Sequence, residues 1–282
     1  MLHQFSYHRP DSLDEALGLL SAHGDRARVF AGGTDLFVNV RAGLLRPQHV
    51  VDLKAIEALQ DLSWTESEGL SIGACVTVNR LIEHDAVRDR FSLLAIAATE
   101  LATFQLRNRA TVVGNLVTAS PCGDMGGALL ALGGQVVLLS ADGERTLALA
   151  EFITGVKQTL IRPNEIVARV VVPNQWSGAA AGYRKLKRIK GHDLGVVSVS
   201  MAKHPLGLRV AISSAAPTPL LLPEMQLETD LATVQSHARQ MISPIDDVRA
   251  SAEYRAFMVD VFIRRLFESI PTPGAAAQEV SA

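Results

Sequence analysis

The sequence predicts a chain of mixed helix and sheet, and three stretches carry that expectation. "DSLDEALGLLSAHG" reads as a capped amphipathic helix, "QVVLLSADGERTLALAEF" as a hairpin, and "LGVVSVSMAKHPLGLRVAISSAAP" as a second strand pair with helices beyond it. In the first, Ser12 is the N-cap and Glu15 follows three residues on, a capping box. Leu13, Ala16, Leu17 and Leu20 make an apolar stripe, and Gly24 suits the C-terminal cap. A strand over 28–31 comes next, then a short helix from about Asp35 to Ala42, then "HVVDL" as a second strand. Residues 1 to about 50 therefore read as a small α/β unit.

"DLSWTESEGLSIGACVTV" reads as a hairpin, with a helix beginning near Thr77 and another spanning about Ser92 to Phe104. "RNRATVVGNLVTASPCGDMGG" is irregular and rich in small polar residues. A helix from about Asp124 to Ala131 leads into the hairpin, whose turn is expected at Asp142-Gly143, and "EIVARVVVP" is a further strand. Residues 173–181 read as a linker. The C-terminal strand pair turns at "HPLG" and two helices follow. In the last, Tyr254, Phe257, Met258, Val261, Phe262, Leu266 and Ile270 fall at helical spacing and mark a core-facing stripe. "PTPGAAAQEVSA" reads as a frayed tail.

Composition narrows the function. With 282 residues the chain forms one large domain or two smaller ones. Lys+Arg of 27 against Asp+Glu of 29 gives no electrostatic case for nucleic acid or an anionic membrane. The longest apolar stretch, "MGGALLALGGQVVLL", is too short for a membrane span, and "MLHQFSYHRP" lacks the features of a signal peptide, so a cytoplasmic location is expected. Cys75 and Cys122 are far apart, whereas an iron–sulfur cluster or a structural zinc needs about four ligands, so no metal is expected in this chain. The histidines are scattered (His3, His8, His23, His49, His84, His192, His204, His237), with no metal-ligand spacing on a predicted element. "GLSIG" matches the nucleophile-elbow pattern of hydrolases, but Ser71 lies inside an alternating strand rather than at a strand-to-helix turn, so a serine hydrolase is not expected.

Two glycine-bearing segments remain: Ala31-Gly32-Gly33-Thr34-Asp35, and Thr111-Val112-Val113-Gly114-Asn115 followed by Thr118 and Asp124. Each places backbone N–H groups beside hydroxyl or amide side chains, which suits a pyrophosphate, and Asp124 is suited to accept from a ribose hydroxyl or an adenine amine. A plain turn is the other reading of each.

The residues resemble a known family. "FSYHRPDSLDEAL", "AGGTDL", "QLRNRATVVGNLVTASPCGD" and "IRPNEIVARVVVP", in that order, are similar to the motifs of the FAD-binding (medium) subunit of the xanthine dehydrogenase and carbon monoxide dehydrogenase family, the molybdenum hydroxylases. "YRKLKRIKGHDLGVVSVSMA" and "ISSAAPTPLL" resemble its C-terminal domain. One departure stands out. The family usually has two glycines where this chain has Val113-Gly114, which puts close approach of that loop in doubt. The cysteine-rich insertion of the aromatic-CoA reductase branch is absent.

The resemblance implies an α+β fold: a two-lobed FAD-binding domain of the vanillyl-alcohol-oxidase/PCMH type over 1–175 (lobes about 1–57 and 58–175), and a C-terminal α+β domain over 176–282. It implies FAD bound by Val29, Phe30, Ala31, Gly32, Gly33, Thr34, Asp35 and Leu36, and by Thr111, Val112, Val113, Gly114 and Asn115. Thr118 and Asp124 would fix ribose or pyrophosphate, with Val167 and Lys185 near the flavin. Gly32 and Gly33 are expected to serve backbone contact with the pyrophosphate. No side chain is expected to be a catalytic acid or base. The implied partners are a small [2Fe–2S] subunit and a large molybdopterin-cofactor subunit, in a heterotrimer or a dimer of heterotrimers. The implied function is an oxidoreductase subunit that collects electrons from the clusters and passes them to NAD, a quinone or another acceptor. The alternative is a non-redox binding or scaffold protein that kept the fold and lost the cofactor.

Overall fold

A computed structural model describes residues 3–273. It opens with β1 (Ser6–His8), α1 (Leu13–His23), β2 (Ala27–Phe30), α2 (Leu36–Arg41) and β3 (His49–Asp52). The three strands are parallel, with β3 between β1 and β2. Helix α1 forms as its sequence dictates. The Ser12 hydroxyl accepts from the Glu15 N–H, Ala16, Leu17 and Leu20 are buried, and Gly24 (φ +51°) closes the helix with its N–H on the Leu20 carbonyl.

The second sheet is antiparallel and begins with the hairpin β4 (Leu62–Thr65) and β5 (Gly69–Gly73). The chain then runs through α3 (Val78–Glu83), α4 (Asp85–Arg90), α5 (Ser92–Thr99), α6 (Phe104–Arg107), α7 (Val112–Val117) and α8 (Asp124–Ala131). It returns as β6 (Gln135–Ser140), β7 (Gly143–Ala148), α9 (Leu149–Phe152), the small ribbon β8 (Ile153–Gly155) and β9 (Gln158–Thr159), and β10 (Ile166–Val172). Strand β10 enters the middle, in the order β4-β5-β10-β6-β7. A central strand covered on both faces reads as a near-continuous apolar run, as "IVARVVV" does.

Three expectations change here. Ser140 pairs with Gly143, so the turn residues of the β6–β7 hairpin are Ala141-Asp142, one position earlier than expected. Helix α5 ends at Thr99, because the chain turns at Ala102 (φ +48°) and restarts as α6 under a Thr103 cap. The stretch expected to be irregular contains α7, too short to show a helical period.

The third sheet has β11 (Ala180–Leu186), β12 (Val197–His204), β13 (Gly207–Ser213) and β14 (Leu220–Leu221) in sequential antiparallel order, followed by α10 (Leu231–Met241) and α11 (Ala252–Ser269). Residues 197–203 of β12 are all buried, so both faces of the sheet are covered. Val197, Val199 and Met201 share a core with Val259, Phe262 and Ile263 of α11. On the other face small residues meet. A Cβ on Gly127 of α8 would lie 3.0 Å from the Ser213 hydroxyl and 3.2 Å from that of Ser200. This explains why an apolar helix carries Gly127 and why its partner strands carry serines, while a Cβ on Gly126 would lie 3.2 Å from Pro219.

Residues 173–181, read as a linker, pack closely. Trp176 is buried and the Trp64 indole N–H donates to the Asn174 side chain at 3.1 Å. In α11 the expected stripe is buried at Met258, Val261, Phe262, Leu266 and Ile270, but Tyr254 and Phe257 are 46% and 59% exposed. The buried arc runs through Arg255 and Val259 instead. Of the expected tail, residues 274–282 lie outside the described residues. Among the described residues no helix is long and apolar enough to cross a membrane.

Candidate functional site

The first glycine segment is the crossover between β2 and α2. The chain leaves the sheet at Phe30 and turns at Gly33 (φ +74°), a conformation that suits glycine. Any Cβ there would fall 2.5 Å from Phe30 Cε2 and 3.0 Å from Phe37 Cδ2. The two rings meet edge to face, with centroids 4.9 Å apart, and fill the space beneath the turn. Lys54 Nζ sits 3.3 Å over the Phe30 ring and is held by Asp52 at 2.7 Å. Burial pushes the Asp52 carboxyl up, but hydrogen bonds from Lys54 and the Tyr7 hydroxyl outweigh it and leave it below the usual carboxylate range. Among the described residues, the N–H groups of Gly32, Gly33, Thr34 and Asp35 have no partner.

The second segment hangs on a polar clamp. Asn79 of α3 donates to the Phe104 carbonyl at 3.0 Å and to the Asn108 side chain at 2.8 Å. Its own oxygen accepts from Arg107 Nε at 3.1 Å, and Arg107 also reaches the carbonyls of Thr99 and Leu101. Thr111 then caps α7, its hydroxyl accepting from the Gly114 N–H at 3.0 Å. A Cβ on Gly114 would lie 2.7 Å from that hydroxyl, which accounts for the glycine. The N–H groups of Thr111 and Val113 are also unpartnered among the described residues.

The two segments touch. A Cβ on Gly32 would strike the Arg109 carbonyl oxygen and lie 3.1 Å from the Ala110 Cα. Gly32 is therefore a glycine because a second backbone passes against it. The contact brings the two segments side by side, and unpartnered N–H donors of the kind each carries suit the oxygens of a pyrophosphate. The glycines also have a reason within the chain itself. Packing within the chain, against Arg109-Ala110 at Gly32 and against two phenylalanine rings at Gly33, already requires them.

The other expected residues fall in four places. Val29, Phe30, Ala31 and Leu36 frame the first turn. Val113 lies inside α7, is 4% exposed and has no positive φ, so the missing second glycine causes no backbone strain. Asn115 turns its side-chain oxygen to the Met125 N–H at 3.2 Å and tethers α8 to α7, while the Thr118 hydroxyl donates to the Gly114 carbonyl at 2.9 Å. Val167 is buried in β10, beside the irregular register between Val167 and Arg169. Asp124 and Lys185 stand together. One carboxylate oxygen accepts from the Tyr183 hydroxyl at 2.8 Å and the other from Lys185 Nζ at 2.9 Å, with both side chains nearly buried. Burial raises the Asp124 carboxyl above the usual range despite Lys185 and Tyr183. A ribose would have to use the lone pairs these partners leave.

Sequence reasoning missed Asn79, Arg107 and Asn108 as the scaffold of the second segment. The "RN" before "RATVVGN" was visible, but its partner on α3 was not. It also missed that His8, His23 and His49 come together.

A model of the FAD-binding domain of molybdopterin dehydrogenases matches residues 3–175. The chain belongs to this family. It is an FAD-binding chain of an oxidoreductase, with the FAD-binding fold of the PCMH type. It is 30% identical over 275 residues to the carbon monoxide dehydrogenase medium chain of Hydrogenophaga pseudoflava, covering 93% of this chain and 95% of that one. It is also 30% identical to the caffeine dehydrogenase subunit beta of a Pseudomonas species, covering 93% and 92%. Carbon monoxide dehydrogenase from Oligotropha carboxidovorans superposes with a TM-score of 0.89 at 28% identity, covering 96% of this chain and 98% of that one. The scaffold alternative drew on Val113 alone, and its helical, buried position removes that support.

Proposed function

We propose that this chain is the electron-transfer subunit of a molybdenum hydroxylase. It receives electrons from [2Fe–2S] clusters on a small partner subunit and passes them to NAD, a quinone or another acceptor, while a large molybdopterin subunit acts on the substrate. The observation that carries the reading is the contact of the two glycine segments at Gly32 and Arg109-Ala110, with unpartnered N–H groups on both, at Gly32–Asp35 and at Thr111 and Val113. Bound FAD supplies the redox chemistry, exchanging electrons singly or in pairs. The chain's own residues orient it. The adenosine diphosphate half would lie over 29–36 and 111–115, with Thr118 and Asp124 fixing ribose or pyrophosphate and Val167 and Lys185 near the flavin. The flavin domain ends near residue 175, and the assembly is cytoplasmic. Two cysteines, one of them buried, are too few to hold a cluster, which agrees with clusters on a partner.

The test leaves the protein unaltered. FAD, FMN, riboflavin and ADP are titrated into apo-protein, and purified chain is assayed for flavin, iron and molybdenum. The reading expects FAD to bind at least a hundredfold more tightly than riboflavin, on the scale of about 1–3 kcal/mol per charge-assisted hydrogen bond. It also expects ADP to compete, and neither metal to be present in stoichiometric amount. Equal affinity for FAD and riboflavin would remove the pyrophosphate from the two segments. Stoichiometric iron in the isolated chain would overturn the division of labour.

A further inference from the structure

Three imidazoles converge on the first sheet, outside both glycine segments. His8 ends β1, His49 opens β3 and His23 ends α1. His8 Nε2 and His49 Nδ1 are 3.0 Å apart, and the His23 and His49 rings stack with centroids separated by 3.6 Å. One nitrogen from each of the three lies within 4.8 Å of the others, and all three residues are half-buried. The topology makes this meeting. Strands β1 and β3 are adjacent and parallel, with Ser6 opposite His49 and His8 opposite Val51, so His8 and His49 project from one face. Helix α1 packs on that face, since Ala16, Leu17 and Leu20 share a core with Val51, and its last residue is delivered beside the pair.

The cluster is not self-sufficient. Among the described residues His23 Nδ1 is buried without a partner, and the His8–His49 contact needs one ring to donate and the other to accept.

We propose that His8, His23 and His49 form a binding site for one imidazole-preferring first-row divalent cation, Zn²⁺ being the type, with a fourth position open to water. The donor set is all nitrogen, which disfavours the oxygen-seeking Ca²⁺ and Mg²⁺. Three histidines with an open position is a ligand set zinc uses. Bonds of about 2.0–2.1 Å separate tetrahedral ligands by roughly 3.3 Å, and rotation of the half-exposed rings closes the present spacing. The Arg26 charge opposes the cation, but Arg26 is exposed and screened by water. Bound metal staples the end of α1 to β1 and β3.

The experiment uses the full flavin-loaded chain without a histidine tag. Co²⁺ is titrated in and displaced by Zn²⁺, followed by visible d–d bands and thermal melting. X-ray absorption at the zinc edge counts the imidazoles in the unaltered protein. The site predicts one equivalent bound at micromolar Kd or tighter, and three imidazole ligands. It also predicts a melting rise of roughly 5–10 °C at a hundredfold excess over Kd. Binding should weaken about a hundredfold in His49→Ala and His8→Gln, whose flavin content reports that they are folded. Millimolar affinity, a different ligand set, or equal binding in the folded variants would overturn it.

Discussion

Gly32 is defined by what cannot be added to it. The Arg109 carbonyl occupies the place of a side chain, so Gly32→Ala forces two backbones apart. Overpacking of this kind costs about 1–3 kcal/mol. Apo-protein melting should fall by roughly 2–10 °C and flavin occupancy should fall with it; an unchanged apo melting curve would refute the contact. Thr111→Ala removes only a cap, with an expected cost of about 1 kcal/mol and a small, measurable shift in melting. The glycine pair was legible in the sequence as a place where something comes close. What comes close was not, because Arg109 and Ala110 belong to a distant part of the chain. Val113 looked like a defect in a loop, and became unremarkable once the loop proved to be a capped helix.

At the scale of elements, the sequence announced those that carry their own punctuation. Helix α1 has a cap at each end, and the hairpins alternate. Helices α6 and α7 are too short for periodicity and exist because Asn79, Arg107 and Thr111 satisfy their ends. The pairing of Asp124 with Lys185 could not be read either, since it joins α8 to β11 over a separation of 61 residues. Asp124→Asn leaves a buried ammonium without its counter-charge, at an expected cost of about 3–5 kcal/mol in denaturant unfolding. If Asp124 acted only as a ribose ligand, stability would hold and FAD affinity alone would drop. Near β10, Glu165 is buried and bidentate to Arg145 at 2.7 and 2.8 Å, with the Arg162 N–H on one oxygen. Burial pushes the Glu165 carboxyl up, but Arg145 and Arg162 outweigh it and hold it below the usual range. A depressed acid contributes stability that is fully present above its unfolded pKa and is lost as pH falls through the folded one. The melting advantage of wild type over Glu165→Gln should therefore be greatest near neutrality and shrink below about pH 4. An advantage that does not change with pH would contradict the assignment.

For the whole molecule, the third sheet is where two interiors meet. Its helix face holds Val197, Val199 and Met201, and its other face lies on α8 through glycine and serine. That arrangement turns Tyr254 and Phe257 outward, although the sequence spacing placed them in the core. Helical spacing defines an arc, and only the packed partner decides where that arc is centred. Phe257→Glu should change stability by no more than about 0.5 kcal/mol in denaturant unfolding, as an exposed site allows. A large loss of stability would mean that Phe257 is buried after all.

The central place of β10 bears on synthesis. It is the last strand to join the five-stranded sheet, yet it separates β5 from β6. A nascent chain that has emerged only through β7 holds both glycine segments but lacks the strand that joins the two hairpins into one sheet. Non-local pairings of this kind form late. A flavin site built on both segments would thus be completed only after residue 172 has cleared the ribosome, past the middle of the 282-residue chain, and cofactor capture would belong to the second half of translation rather than its beginning.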